Sequence, residues 1–76
     1  MNEAYVLLNV DFKKQKDVIQ MVKKISPVKS VRTTYGIYDI LVVLESNSMQ
    51  EIKQAIDEDL HKIEGITNLT SLITIS

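Results

Sequence analysis

The sequence predicts an α+β fold built from one four-stranded antiparallel sheet and two helices. Segments of strand and helix character alternate in the order strand, helix, strand, strand, helix, strand. Turn and capping residues separate these segments, and the 76 residues allow a single domain over residues 1–76. Two right-handed strand–helix–strand units in this order give the ferredoxin-like βαββαβ arrangement. In that fold the first and third strands are central, and both helices lie on one face of the sheet.

The first half of the chain contains a strand, a helix and a second strand. Ala4–Val10 is rich in Val and Leu, and Asp11 behind it is of a type that caps helices. The first helix is predicted over Phe12–Ile25, where apolar residues recur at helical spacing until Pro27 ends the pattern. Val28–Tyr35 combines Val, Thr and Tyr with charged residues, which predicts an edge strand.

The second half contains a central strand, a helix and a last strand. Tyr38–Glu45 is apolar at consecutive positions, and Ser48 with Glu51 three residues later matches a capping box. One narrow apolar stripe then runs along the second helix. It consists of Met49, Ile52, Ile56, Leu60 and Ile63. Gly65 is well placed as the left-handed residue that ends this helix, and Ile66–Ile75 is predicted to be the last strand.

Strand alternation places apolar residues on both faces of the two central strands. In the first strand, Ala4, Val6, Leu8 and Val10 project to one side and Tyr5, Leu7 and Asn9 to the other. In the third strand, Tyr38, Ile40, Val42 and Leu44 project opposite to Leu41 and Val43. Because the helices cover only one face, the other would expose an apolar patch of several hundred Å². A homodimer that packs through the sheet is the simplest remedy, and a short chain without cysteines also gains stability from association.

Composition argues against targeting to nucleic acid or membrane. The net charge is −1, so no overall field attracts either partner. The N-terminal residues lack the features of a signal peptide, and the longest clean apolar run, Ile40–Leu44, is too short to span a membrane. Together with the absence of cysteine, this indicates a cytoplasmic protein.

The charges are divided unevenly along the chain. Residues 1–38 carry seven Lys or Arg against three acids, and residues 39–76 carry two Lys against seven acids. The opposite net charges of the two halves have two interpretations. They belong either to two solvated helix faces of opposite sign or to faces that help to orient copies of the chain in an assembly.

Few residues are suited to chemistry. Gly36 and Gly65 are the only glycines in the sequence, which rules out a glycine-rich phosphate loop. His61 follows Asp57 by one turn, a spacing that could hold a metal or orient a base, although an exposed helix pair is the simpler interpretation. We therefore predict no catalytic residue, no metal and no cofactor. Arg32 is the only arginine and no aromatic residue is interleaved with the lysines, so direct DNA binding is not expected.

The segment Tyr35-Gly36-Ile37-Tyr38-Asp39 is the most unusual in the chain. Two tyrosines and an aspartate flank a glycine at a predicted tight hairpin, and glycine allows both a positive φ and the approach of a ligand to its amides. An aspartate at the start of a buried strand needs a partner. Two interpretations stay open: Asp39 accepts amides of its own hairpin, or it receives the ammonium group of a bound amino acid.

At this segment the chain resembles the effector-binding domain of the Lrp/AsnC transcription regulators. The matching motifs are Ala4-Tyr5-Val6-Leu7, Ser26-Pro27-Val28, Tyr35-Gly36-x-Tyr38-Asp39-Ile40 and Glu64-Gly65-Ile66. The second stands where the family often has Pro-Gly-Val, and the third corresponds to its Gly-x-Tyr/Phe-Asp. The resemblance covers residues 4–75, and the order and spacing of the motifs together make it fairly specific.

The resemblance implies a ferredoxin-like domain that dimerises through its sheets and assembles into a ring of dimers, often of eight subunits. It also implies amino-acid binding between dimers, near the hairpin. Gly36 and Asp39 carry over directly, and Ser71 falls where the family favours Thr or Ser, whereas Leu69 replaces a polar residue at another such position. The expected ligand-binding residues are Tyr35, Gly36, Ile37, Tyr38, Asp39 and Ser71.

Full-length members of that family begin with a helix-turn-helix domain, whereas this sequence begins at the first strand and looks like the stand-alone form. Any role in transcription would then run through partners, which include full-length regulators of the same type, or through ligand buffering. Two other functions compete with an effector-binding module. One is an assembly module without a ligand, and the other is a small dimeric enzyme that shelters a substrate against its sheet.

Overall fold

A computed structural model describes residues 1–74 of the chain. Its strands are β1 (Asn2–Val10), β2 (Val28–Thr33), β3 (Ile40–Ser46) and β4 (Ile66–Thr74), and its α-helices are α1 (Gln15–Lys23) and α2 (Met49–Gln54). The strands form one sheet in the order β2-β3-β1-β4, and every neighbouring pair is antiparallel. This confirms the predicted ferredoxin-like α+β fold. Ile75, the last residue of the predicted fourth strand, lies outside the described residues.

The first helix is shorter than predicted at both ends. Asp11 accepts a hydrogen bond from the Lys13 amide at 3.1 Å, as a cap does, but the turn that follows is a 3-10 turn over Phe12–Lys14. The α-helix therefore begins at Gln15 and ends at Lys23, two residues before the predicted Ile25. The chain has to turn ahead of Pro27, whose backbone carbonyl accepts a hydrogen bond from the Glu45 amide at 2.9 Å.

The second helix changes its pitch along its length. Ser48 caps it by accepting from the Glu51 amide at 3.2 Å, while the Ser48 amide donates to the Ser46 hydroxyl instead of to Glu51. After Gln54 the chain continues as a π turn over Ala55–Asp59 and a 3-10 turn over Leu60–Lys62. The predicted stripe still reaches the core, since Ile52, Ile56 and Leu60 are buried. Within residues 1–74, no helix is long and apolar enough to cross a membrane.

The core lies between the helices and one face of the sheet. Twelve apolar residues are buried there, namely Ala4, Val6, Leu8, Val18, Val22, Ile40, Val42, Leu44, Ile52, Ala55, Ile56 and Leu60. Its members from β1 all come from one predicted side of that strand, and its members from β3 all come from one predicted side of theirs, which confirms the alternation. Val10 and Tyr38, which were predicted on the same sides, are only half-buried.

The other face of the sheet carries no helix, and we call it the open face. Antiparallel partners point to the same side, so the pairing of Leu7 with Leu41 and of Tyr5 with Val43 places four half-buried side chains there. Leu72, which pairs with Tyr5 from β4, is 65% exposed. Within one subunit the open face is therefore apolar along its middle and accessible to another molecule.

Candidate functional site

The connection between β2 and β3 is longer than the predicted tight hairpin. β2 ends at Thr33 and β3 begins at Ile40, which leaves residues 34–39 outside the ladder. Two hydrogen bonds close this loop at its base. The Thr34 amide donates to the Asp39 carbonyl at 2.9 Å, and the Thr34 hydroxyl donates to the Tyr38 carbonyl at 2.7 Å. These bonds end the sheet pairing early and give the loop a fixed shape.

Asp39 fastens the loop to the end of β1. Its amide donates to the Leu8 carbonyl at 2.9 Å, and its carboxylate accepts from the Val10 amide at 3.0 Å. The Asn9 side-chain amide adds a bond to the Ile37 carbonyl at 2.7 Å and a longer one to the Asp39 carboxylate at 3.5 Å. The carboxylate thus binds an amide of the neighbouring strand β1, which contradicts the interpretation that it accepts amides of its own hairpin.

The tip of the loop is open to solvent. Tyr35 and Ile37 are 105% and 84% exposed, and Gly36 between them has a φ of +114°, as its position predicted. A side chain added at Gly36 would meet no atom within 4 Å. The tip therefore offers backbone amides and two large side chains on a base that is held rigidly.

Tyr38 and Ser71 lie on opposite sides of the sheet. The Tyr38 hydroxyl is 3.5 Å from the Thr70 hydroxyl, and Thr70 pairs with Leu7 on the open face. The prediction that Tyr38 projects to the same side of the third strand as Ile40 is wrong, because β3 begins only at Ile40 and strand alternation does not extend to Tyr38 in the loop before it. Ser71 pairs with Val6, whose side chain is buried under the helices. Within one subunit the structure brings residues 35–39 together and leaves Ser71 apart from them.

Sequence reasoning assigned no role to the polar residues beside the loop. The Asn68 side-chain amide donates to the Asn9 side-chain oxygen at 3.4 Å, next to the Tyr38–Thr70 contact. The signal in the sequence was Asn9, a polar residue at the end of an apolar face. Its neighbours on β4 depend on the register, which shifts between Asn9 and Val10 and was not visible in the pattern.

An ion pair steadies the same end of the sheet. Lys14 and Glu64 form a salt bridge between the turn before α1 and the loop before β4. The hydrogen bond to the Glu64 carboxylate raises the pKa of the Lys14 ammonium, and it lowers the pKa of the Glu64 carboxyl. Next to this pair, the Asp11 amide donates to the Gly65 carbonyl at 2.7 Å. Both side chains of the pair are substantially exposed, so its role is local.

The suggested pair of Asp57 and His61 lies on the surface. Both residues are exposed, and they do not share a regular α-helical turn, because Asp57 lies in the π turn and His61 in the 3-10 turn that follows it. In the part of the chain that the structure describes, no three residues among His, Cys, Asp and Glu are grouped so that they could hold a metal ion. The geometry therefore does not indicate a metal ion or a substrate that Asp57 and His61 would bind together.

Comparison with known proteins identifies the kind of domain. A family model described as the Lrp/AsnC ligand binding domain matches residues 3–76. The crystal structure of FFRP-DM1 superposes with a TM-score of 0.89 at 27% identity, over 99% of this chain and 100% of that one. The hypothetical protein PHS023 from Pyrococcus horikoshii gives 0.90 at 26% identity, over 100% of this chain and 92% of that one. No curated protein matches in sequence.

Longer transcriptional regulators contain the same fold. The regulator NMB0573 from Neisseria meningitidis, solved as a complex with L-Met, gives a TM-score of 0.84 at 17% identity. The alignment covers 99% of this chain and 50% of that regulator, so the chain corresponds to about half of the longer protein. At this identity the likeness establishes a common fold.

Proposed function

Because the chain belongs to the Lrp/AsnC ligand-binding domain family, we propose that it is an oligomeric regulatory module that binds an amino acid. The effect of the ligand would pass to transcription or to amino-acid metabolism through protein partners. The observation that carries this proposal is the loop of residues 34–39, whose base is fixed to β1 by Asp39 while its tip stays exposed. A rigid base with accessible amides is what a small polar ligand requires.

Each chemical group of an amino acid has a counterpart in this loop. The amides around Gly36 would receive the α-carboxylate, since Gly36 has a positive φ and a Cβ atom at this position would meet no other part of the chain within 4 Å. The Asp39 carboxylate accepts from the Val10 amide and has further acceptor capacity for an ammonium group. Tyr35 and Tyr38 would supply aromatic walls and hydroxyl partners. Ser71, on the other side of the sheet, would contribute from a neighbouring subunit.

The open face and the exposed loop support the proposed assembly. A second copy that covers the open face would form a dimer, and dimers that meet near the loops would form a ring and enclose the ligand. The presence of L-Met in NMB0573 supports an amino acid as the ligand class, since that regulator contains the same fold. Full-length regulators of this family are candidate partners, and a role beside them implies a cytoplasmic location.

A thermal-shift screen with the common amino acids at millimolar concentration tests the proposal. A ligand at 100 times its dissociation constant stabilises the folded state by about 2.7 kcal/mol, which such a screen detects. If no amino acid binds the unmodified protein, the effector function fails and an assembly module without a ligand takes its place.

A pair of matched variants locates the site. Asp39→Asn keeps the size of the side chain and removes its charge, so it should weaken binding of the identified amino acid by about 1.5–3 kcal/mol. Asp57→Asn makes the same change on the exposed surface of the second helix and should leave binding unchanged. Equal affinities of the two variants, measured by calorimetry, would show that Asp39 does not contact the ligand.

We propose no direct binding of specific DNA sequences by this chain. Its net charge of −1 and its single arginine provide little for phosphate or base contacts. Gel-shift experiments with the purified chain should therefore give no sequence-dependent complex at physiological salt, and a salt-resistant specific shift would contradict this part of the proposal.

A further inference from the structure

Four polar side chains form a cluster at the loop end of the open face. Asn9 and Asn68 pair across β1 and β4, and the Tyr38 hydroxyl lies beside the Thr70 hydroxyl. We call these four residues the amide–hydroxyl cluster. Apolar side chains border it, because Leu7 is the strand partner of Thr70.

Within one subunit Asn68 and Thr70 are exposed, and few protein groups use the hydrogen-bonding capacity of this cluster. The Asn68–Asn9 bond measures 3.4 Å and the Tyr38–Thr70 contact 3.5 Å, both at the long limit for a hydrogen bond. Asn9 is committed to the Ile37 carbonyl at 2.7 Å, but the Asn68 side chain makes no other hydrogen bond within residues 1–74. The Asn68 oxygen, one of its N–H groups and the two hydroxyls therefore have capacity for another molecule.

If a second subunit buried the amide–hydroxyl cluster, its unused hydrogen-bonding groups would form a binding site. The inference rests on the proposed dimer, because a copy that covers Leu7, Leu41 and Val43 also covers the cluster at the end of the same face. Buried amides and hydroxyls without partners are costly, so native proteins satisfy them. A molecule with its own donors and acceptors, held between the two sheets, would supply the missing partners.

We infer that the amide–hydroxyl cluster binds a small molecule that bears a carboxamide or hydroxyl group and no negative charge, inside the dimer interface. None of the four side chains is charged, so an anion buried among them would lack a counter-charge. The nearby Asp39 carboxylate already accepts from Val10 and Asn9 and would repel an anion. This site shares the Tyr38 hydroxyl with the proposed amino-acid site, but it lies apart from the loop tip at residues 35–37, where Tyr35 and Ile37 extend into solvent.

Titration with propionamide, followed by NMR of the ¹⁵N-labelled protein, tests the inference. This neutral carboxamide has neither the carboxylate nor the ammonium group that the loop tip would recognise. We expect saturable shifts of the side-chain amide signals of Asn9 and Asn68, with smaller effects at backbone amides 35–37. Absence of a saturable response at the two asparagines would overturn the inference and leave only water or direct side-chain contacts in the cluster.

Two isosteric variants on β4 provide the control. Thr70→Val removes a cluster hydroxyl and should lower the affinity for propionamide at least tenfold. Thr74→Val removes a hydroxyl from the same face of the same strand, outside the cluster, and should leave the affinity unchanged. Equal affinities of the two variants would contradict the assignment of Thr70.

The same protein sample separates this inference from the proposed function. If the amino acid found in the screen shifts amides 35–37 while propionamide shifts nothing, the amino-acid site stands and the cluster site fails. The reverse result would support the cluster site and remove the amino-acid site. If the protein sediments as a monomer at the concentration used for NMR, the cluster site is overturned, because no second subunit would then bury the cluster.

Discussion

Asp39 connects the exposed loop to the body of the sheet. Its identity and the positive φ of Gly36 three residues earlier are both readable from the sequence. Its partner is not, because the Val10 amide reaches the carboxylate only when the end of β1 lies beside the loop before β3. At the residue scale, the sequence therefore predicts which residues are unusual, while the tertiary pairing determines what each one binds.

The bond from Val10 to Asp39 predicts a difference between two substitutions. Asp39→Ala leaves the partly buried Val10 amide without its acceptor and should destabilise the protein by about 1–3 kcal/mol. Asp39→Asn retains a side-chain oxygen at the same position and should cost less than half as much. Urea denaturation measures both, and equal losses would show that the charge of Asp39, and not its position, stabilises the loop.

The two glycines predict a second difference. Both have a positive φ, +114° at Gly36 and +107° at Gly65, so an alanine at either position strains the backbone by about 1–3 kcal/mol. At Gly36 the new methyl group would meet nothing, whereas at Gly65 it would lie 3.0 Å from atoms of Lys14 and Val18. Gly65→Ala should therefore lower the free energy of unfolding by more than Gly36→Ala does. A larger loss at Gly36 would be incompatible with this packing.

Apolar periodicity in the sequence predicted the faces of the strands and helices better than it predicted their ends. Strand alternation correctly grouped the buried residues of β1 and of β3 on one side of each strand, because a side chain there has only two directions. The ends of elements were less predictable. The 3-10 turn before α1 and the bonds from Thr34 that end β2 depend on local geometry to which apolar periodicity is insensitive. The π turn in the second helix was missed for a related reason, since the core residues keep steps of four through it.

The junction between the first helical turn and β4 predicts a dependence on pH. Since Lys14 lowers the pKa of Glu64 in the folded state, the pair contributes stability above the unfolded pKa of glutamate, about 4.3. That contribution to stability is lost as the pH falls through the lowered pKa that Glu64 has in the folded state. NMR titration should give a pKa for Glu64 below the ordinary range, and Lys14→Met should return it there.

Lys16→Met is the matched control for this measurement. Lys16 is exposed on α1 and forms no salt bridge with Glu64, so its removal should leave the pKa of Glu64 unchanged. An identical pKa of Glu64 in the Lys14→Met variant and in the unmodified protein would contradict the observed pair. High salt should weaken the effect, because both side chains are accessible to water.

At the scale of the whole molecule, the two faces of the sheet have different surroundings. One is covered by helices and contains the core, whereas the other has apolar residues that only a further molecule can cover. The two proposed ligand sites lie at one end of this open face. The loop tip extends beyond the sheet, where neighbouring dimers would meet, and the amide–hydroxyl cluster lies on the face itself, where two sheets would meet.

A charge on the open face should separate the dimer without unfolding the subunit. Leu41 is half-buried and lies opposite Arg32, so the carboxylate of Leu41→Glu has a cation beside it within its own subunit. In the dimer the same carboxylate would be buried between two sheets, which should weaken association by about 2 kcal/mol or more, roughly 30-fold in the dissociation constant. Gln50→Glu introduces the same charge on the exposed surface of α2 and should have no effect. Analytical ultracentrifugation measures association, and circular dichroism verifies that both variants are folded. Unchanged association of the Leu41→Glu variant, or an unmodified protein that sediments as an 8.7 kDa monomer at micromolar concentration, would show that the open face is not the dimer interface.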